Sequence, residues 1–183
     1  MLTDKRIKEA QDNFNAYLQD GLLVKKREFE QRIFNVLENN ANESLKIAEK
    51  LFANQDSWLW TIVTSYYSMY YIANAILYKM GYKVGEKIAH KVTADSLIVL
   101  VRSKLKASLL EQYEEVQQEA LALAGIKADE LIQSFDYERK KRSFFQYETS
   151  EEAKQEKAKV SIERAKEFML EMKKLLPEFR GVQ

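Results

Sequence analysis

Apolar residues recur at spacings of three and four along most of this chain, which is the period of an α-helix. The pattern predicts a short first helix from Thr3 to Leu18, which stops near Gly21, and a long amphipathic helix from about Lys26 to Phe52. The next segment, Trp58 to Met80, is apolar or aromatic around most of its circumference. We therefore expect this third helix to be central and buried.

The same periodicity predicts four more helices. They are a helix that opens near Thr93, one from about Lys106 to Ala124, one from roughly Ala128 to Phe144, and a last one that ends at Pro177. Asp56 or Ser57 is suited to cap the third helix. Thr149, with Glu152 three residues later, has the spacing of a capping box, so we expect the last helix to open there.

Composition supports an all-α fold. The 183 residues include only five glycines and one proline, whereas a sheet protein needs many turn residues to connect its strands. A chain of this length fits one domain. We predict a single antiparallel helical bundle over residues 26–177, with an N-terminal helical extension at 1–25 and a C-terminal tail at 178–183.

Charge and cysteine content limit the classes of function. Twenty-nine basic and 28 acidic residues leave a formal charge of +1, so binding to nucleic acid would need a local basic patch. The absence of cysteine fits a reducing compartment. The first residues lack the pattern of a signal peptide, and no run approaches the roughly 18 apolar residues of a membrane span. We expect a cytoplasmic protein that does not bind membranes.

Several common chemistries lack the residue types that they need. A zinc site takes about four Cys, His or acidic ligands, and this chain has one histidine and no cysteine. The loop glycines Gly81 and Gly85 do not belong to a phosphate-binding GxxxxGK[ST] motif. A serine triad would depend on His90 alone as its base. We therefore expect neither a metal nor a cofactor.

A run of tyrosines marks the central helix. Its members are Tyr66, Tyr67, Tyr70, Tyr71 and Tyr78. Aromatic rings can stack on nucleobases, but aromatics at helical spacing more often form core, with their hydroxyls bonded at its rim. We expect this helix to be scaffold.

A basic cluster precedes the last helix and combines cations with aromatic rings. It consists of Arg139, Lys140, Lys141 and Arg142, followed by Phe144, Phe145 and Tyr147. Arginine binds phosphate through two parallel hydrogen bonds and stays charged at physiological pH. This combination suits RNA phosphates and their neighbouring bases. A solvated, positively charged helix end is the competing interpretation.

His90 is the only histidine. Lys87 and Lys91 lie beside it, so we expect it in a basic loop after the third helix rather than in the core. An unperturbed pKa of roughly 6.5 suits a histidine to proton transfer. An isolated histidine in a polar loop is, however, more often simply solvated.

These segments resemble the HEPN domains, small helical bundles of bacteria and archaea. The resemblance covers roughly Phe29 to Leu176. It rests on the phrase SYYSMYYIANAILYKMGY with a histidine in the following loop, and on an arginine segment that leads into AKVSIERAKEFMLEMKKLL. The resemblance implies a HEPN-type bundle to which the first helix is added.

Many HEPN proteins are homodimeric, metal-independent ribonucleases with an arginine followed four to six residues later by histidine. Here four residues separate Arg142 from Tyr147, so tyrosine replaces the histidine of the motif. Tyrosine, with a pKa near 10, is a poor general base at neutral pH. Three outcomes follow: slow cleavage assisted by Tyr147, cleavage that uses His90, or binding without cleavage.

The leading prediction is a homodimeric RNA-binding protein of the HEPN type. Arg139, Lys140, Lys141 and Arg142 would bind RNA, and a toxin-type endoribonuclease site would include Arg142, Tyr147 and His90. The alternative is a catalytically inactive HEPN module that binds a nucleotide or a partner nucleotidyltransferase antitoxin. Salt dependence separates the two, because RNA binding weakens steeply as salt rises.

Overall fold

The computed structural model describes residues 2–125 and 150–179. Within these ranges the chain forms six α-helices, two short β-strands and two 3-10 turns, at Arg102–Lys104 and Leu176–Glu178. The helices and strands, in chain order, are α1 Asp4–Gln19, β1 Leu23–Lys25, α2 Gln31–Ala53, α3 Trp58–Lys79, β2 Tyr82–Val84, α4 Ala89–Leu100, α5 Ala107–Ala124 and α6 Glu151–Leu175. The prediction of a mainly helical fold is confirmed, whereas the predicted helix from Ala128 to Phe144 lies outside the described residues.

Helix α3 forms the centre of the core, as its sequence predicts. Its buried residues cover most of the helix circumference, and Ile62, Met69 and Ile76 have no exposed surface. Helices α2, α5 and α6 all contact it. Burying one large apolar side chain contributes roughly 1.5–3 kcal/mol, so this helix carries much of the stability of the fold.

Helix α6 covers α3 and also contacts α2 and α5. The Lys166 ammonium lies 2.7 Å from Glu49 of α2. On the other side, an Arg164 guanidinium nitrogen lies 2.8 Å from Glu115 of α5. These pairs are partly exposed, so each stabilises by at most about 1 kcal/mol. The apolar face of α6, including Phe168, supplies the larger contribution through burial.

A small antiparallel sheet is present that the sequence pattern did not predict. Strands β1 and β2 pair with Leu23 opposite Val84. After β1, the Lys26 amide donates to the Gly81 carbonyl at 2.8 Å. These extended residues place the start of α2 at Gln31, so the predicted start near Lys26 is wrong by one turn or more. The sheet holds the end of the first segment against the α3–α4 connection.

Helix α1 is attached to the bundle by apolar and polar contacts. Phe14 and Tyr17 form a second apolar cluster with Leu23 and Val92. Beside it, the carboxylate of Asp95 on α4 has no exposed surface. The predicted boundary after residue 25 falls at the end of β1, whose partner strand lies between α3 and α4.

The buried Asp95 carboxylate accepts hydrogen bonds from α1. Tyr17 donates its hydroxyl proton at 2.7 Å and Asn13 its side-chain amide at 3.0 Å, both to Oδ2. Arg6 Nη2 lies 2.6 Å from Oδ1 and 2.7 Å from Oε1 of Glu114 on α5. Burial, together with the hydrogen bond to Asp95, raises the pKa of Tyr17. This network joins α1, α4 and α5.

Serine side chains cap the two helices that start at the same end of the bundle. Ser57 accepts a hydrogen bond from the Trp60 amide at the start of α3, which confirms one of the two predicted caps. Ser150 accepts from the Ala153 amide at the start of α6. The predicted cap at Thr149 is therefore one residue too early, because Ser150 has the extended backbone that points its oxygen at this amide.

The described helices also bear on membrane association. Over residues 2–125 and 150–179, none combines the length and the apolar character that crossing a membrane requires.

Candidate nucleic-acid interface

Of the residues predicted to bind or cleave RNA, the structure describes His90. Arg139, Lys140, Lys141, Arg142 and Tyr147 lie between residues 126 and 149, outside the described ranges. The geometry of the site is therefore built from His90 and its neighbours.

His90 belongs to the first turn of α4 and not to a loop. The predicted start of this helix near Thr93 is wrong, because α4 begins at Ala89. Ile88, immediately before it, adopts the left-handed conformation with φ 44° and offers no side-chain cap. A non-glycine residue in this region is strained. The turn directs the first residues of α4 back towards α3.

The His90 ring lies among tyrosines of α3. Its Nδ1 atom is 2.6 Å from the Tyr66 hydroxyl. Its ring centroid lies 4.7 Å from that of Tyr70 and 6.0 Å from that of Tyr67. Distances of this size are typical of interacting aromatic rings. His90 is thus half-buried and held in one orientation, which corrects the expectation of a solvated loop histidine.

Tyrosines of α3 divide between the core and the surface. Tyr66 and Tyr78 are buried, as expected of scaffold. Tyr67, Tyr70 and Tyr71 are only partly buried, and the Tyr71 ring lies 5.5 Å from that of Tyr70. We call Tyr67, Tyr70, Tyr71 and His90 the His90–tyrosine surface. The i, i+3 and i+4 spacing of its tyrosines places them on one helix face. This spacing is visible in the sequence, but the prediction that the helix is scaffold did not use it.

Lysines give this region a positive charge. Lys87 and Lys91 flank His90 in the sequence and are exposed. Within residues 2–125 and 150–179, neither forms an ion pair. Their charges remain available to attract an anion, although exposed charges act weakly over more than a Debye length of about 8 Å at physiological salt.

A separate cleft of about 380 Å³ lies where α3 and α6 begin. Trp60 on its border is 55% exposed. Trp58 donates its indole N–H to Glu151 at 3.0 Å, and Glu151 also pairs with Lys154 at 2.8 Å. These contacts tie the start of α6 to α3. The sequence analysis did not single out this cleft.

Metal-binding side chains do not converge in the described part of the chain. No group of three or more His, Asp or Glu residues there could hold a metal ion.

Comparison with protein-family models, with curated proteins and with solved structures finds no match to this chain. The resemblance to HEPN domains therefore stays a prediction that rests on the quoted motifs.

The burial of His90 predicts a pH dependence of stability. Burial lowers its pKa below the ordinary 6.5, so as pH falls the unfolded chain takes up the proton first. The contribution of the neutral ring to stability is therefore complete above about pH 6.5 and is lost as pH falls below that value. Urea unfolding across this range should show a steeper loss for the wild type than for His90→Gln. An equal loss of unfolding free energy with falling pH in the two proteins would contradict this prediction.

Proposed function

We propose that this protein is a homodimeric RNA-binding bundle of the HEPN type. In this proposal the His90–tyrosine surface contacts a nucleotide, and Arg139, Lys140, Lys141 and Arg142 bind the phosphates. The observation that supports it best is the half-buried His90, held by Tyr66 and bordered by partly exposed tyrosine rings. A structural aromatic core would not require these rings at the surface.

Aromatic rings of this kind suit single-stranded RNA. Stacking of a base on an aromatic side chain contributes about 1–3 kcal/mol and tolerates any base. RNA recognition modules commonly combine such rings with hydrogen bonds to the exposed edges of bases. Tyr67 and Tyr71, whose ring centroids are 6.0 Å apart, supply the stacking surface, and His90 supplies the polar group beside it.

The proposal includes cleavage without a metal ion. The 2′-hydroxyl oxygen loses its proton and attacks the adjacent phosphorus, the bond to the 5′-oxygen breaks, and the released 5′-oxygen takes up a proton from water. The products are a 2′,3′-cyclic phosphate and a 5′-hydroxyl. Arg142 stabilises the negative charge on the phosphate, because its guanidinium can donate two hydrogen bonds to the oxygens. Tyr147 or His90 accepts the proton of the 2′-hydroxyl as the general base. Tyrosine performs this step slowly at neutral pH.

Replacing Arg142 with Ala should reduce cleavage by about 100-fold, the effect typical of losing one donor to a developing anion. The measurement incubates purified protein with cellular RNA in the presence of a chelator and resolves the fragments and their end groups. Arg32→Ala is the matched control, since Arg32 is exposed on α2 and forms no ion pair in the described part of the chain. Equal cleavage by the wild type and Arg142→Ala would contradict the assignment, as would fragments without cyclic phosphate ends.

A second candidate function is an interaction module without catalysis, whose partner is a small nucleotidyltransferase. Leu170 of α6 supports it, because this side chain is 57% exposed beside a shallow groove between α2 and α6. Apolar contacts of this kind change little with salt, whereas RNA affinity falls steeply. Replacing Leu170 with Asp would therefore separate the two functions, as it should abolish partner binding and leave RNA binding intact.

A further inference from the structure

Two buried hydroxyl groups lie behind the His90 ring. Tyr66 has no exposed surface, and its hydroxyl contacts Nδ1 of His90. Behind it, the ring of Tyr113 on α5 lies 6.0 Å from that of Tyr66. The Tyr113 hydroxyl is buried and makes no hydrogen bond of standard geometry in the described part of the chain. Burial raises the pKa of both tyrosines, and each hydroxyl also affects the pKa of the other.

The protons of Tyr66 and His90 can be assigned by asking which arrangement leaves fewer buried donors unpaired. An unpaired buried donor costs about 1–3 kcal/mol. If Nδ1 carried a proton, it would donate to the Tyr66 oxygen. The Tyr66 proton would then have no acceptor in standard geometry, and neither would the Tyr113 proton.

The opposite arrangement leaves fewer buried donors unpaired. When Nδ1 is unprotonated, Tyr66 donates to it, and of the two hydroxyl protons only that of Tyr113 lacks a hydrogen bond of standard geometry. A neutral imidazole has one protonated nitrogen, so the proton of His90 then lies on Nε2. That atom has no partner within residues 2–125 and 150–179, and it reaches solvent.

We infer that Tyr66 holds His90 as the neutral Nε2–H tautomer, so that His90 presents a hydrogen-bond donor, and not a general base, to its ligand. The group that it recognises is an acceptor oxygen of a nucleotide, from either a phosphate or a base carbonyl. Tyr66 is a positioning residue in this arrangement. The identity of the ligand rests on the proposed function, whereas the tautomer is a property of the free protein.

This inference assigns separate roles within the proposed site. A nitrogen that already carries a proton cannot accept the proton of a 2′-hydroxyl, so His90 binds RNA without acting as the base.

The tautomer can be measured directly, because the chain contains a single histidine. The full chain, free of any affinity tag, is labelled with ¹⁵N-histidine, and long-range ¹H–¹⁵N correlation spectra are recorded at neutral pH. We expect an unprotonated Nδ1 and a protonated Nε2. In Tyr66→Phe the Nδ1 resonance should shift, since the donated proton is lost, whereas Tyr78→Phe, a buried tyrosine elsewhere on α3, should leave it unchanged.

A protonated Nδ1 in the wild type would overturn the inference, as would an Nδ1 resonance that does not respond to Tyr66→Phe. Should Tyr66→Phe fail to fold, the wild-type spectrum alone decides. Inorganic phosphate and uridine are then added separately as probes. A shift of Nε2 with phosphate identifies a phosphate oxygen as the acceptor, a shift with uridine identifies a base carbonyl, and no shift with either rejects this ligand class. The tautomer itself is decided without RNA, so failure of RNA binding is a distinct result.

Discussion

Replacing Asp95 with Ala should lower the free energy of unfolding by about 3 kcal/mol, the lower end of the range for breaking a buried ion pair. Asp95 has no exposed surface and accepts hydrogen bonds from Asn13 and Tyr17. Without the carboxylate, the buried Tyr17 hydroxyl loses its acceptor, and the partly buried Asn13 and Arg6 each lose one partner. Arg6 keeps Glu114, which is partly exposed, and this remaining pair limits the loss.

Urea unfolding monitored by circular dichroism measures this effect. Asp12→Ala is the matched control, because Asp12 is an exposed aspartate on α1, and exposed substitutions usually change stability by no more than about 0.5 kcal/mol. If Asp95→Ala were as stable as Asp12→Ala, the network would not hold α1 on the bundle. A loss of α1 alone, seen as a separate early transition, would show that the network fixes this helix without supporting the rest.

The largest effect on RNA binding should come from removing two of the three partly exposed rings, those of Tyr67 and Tyr71. Each stacked base contributes about 1–3 kcal/mol, so the double substitution to Ala should weaken the binding of single-stranded RNA by roughly 30-fold or more. Substituting both with Phe keeps the rings and removes only the hydroxyls. This second variant should bind RNA nearly as well as the wild type.

The sequence predicts the helical part of the fold well because its signal is local. The apolar stripes of α2 and α6 and the all-round apolar surface of α3 follow from residues within each helix. Gly125 ends α5 in the left-handed conformation that glycine favours, with φ 66°. Gly21, with φ 70°, lies close behind the end of α1. Such caps require no knowledge of the rest of the chain.

Contacts between distant segments account for what the sequence did not predict. Strand β1 exists because β2, about 60 residues later, pairs with it, and three-residue strands carry little periodicity of their own. The role of Asp95 depends on α1 folding over α4. The His90–tyrosine surface likewise depends on where α4 begins, which the strained turn at Ile88 decides.

Part of the predicted site is supported by the sequence alone. The roles of Arg142 and Tyr147 are implied by the resemblance to the HEPN motif, and no described contact tests them. His90, in contrast, was expected in a solvated loop and proved to be held against Tyr66. A single histidine carries no periodic signal, so its surroundings could be found only from the folded chain.

RNA binding by the His90–tyrosine surface is tested most directly by fluorescence anisotropy with a labelled single-stranded RNA. Wild type, the Tyr67→Ala/Tyr71→Ala double variant and the matching Phe double variant are compared, after thermal unfolding has shown that all three are folded. We predict tight binding by the wild type and the Phe variant, and an affinity that is lower by roughly 30-fold or more for the Ala variant. Equal affinity of all three proteins, or no binding by the wild type, would contradict the account.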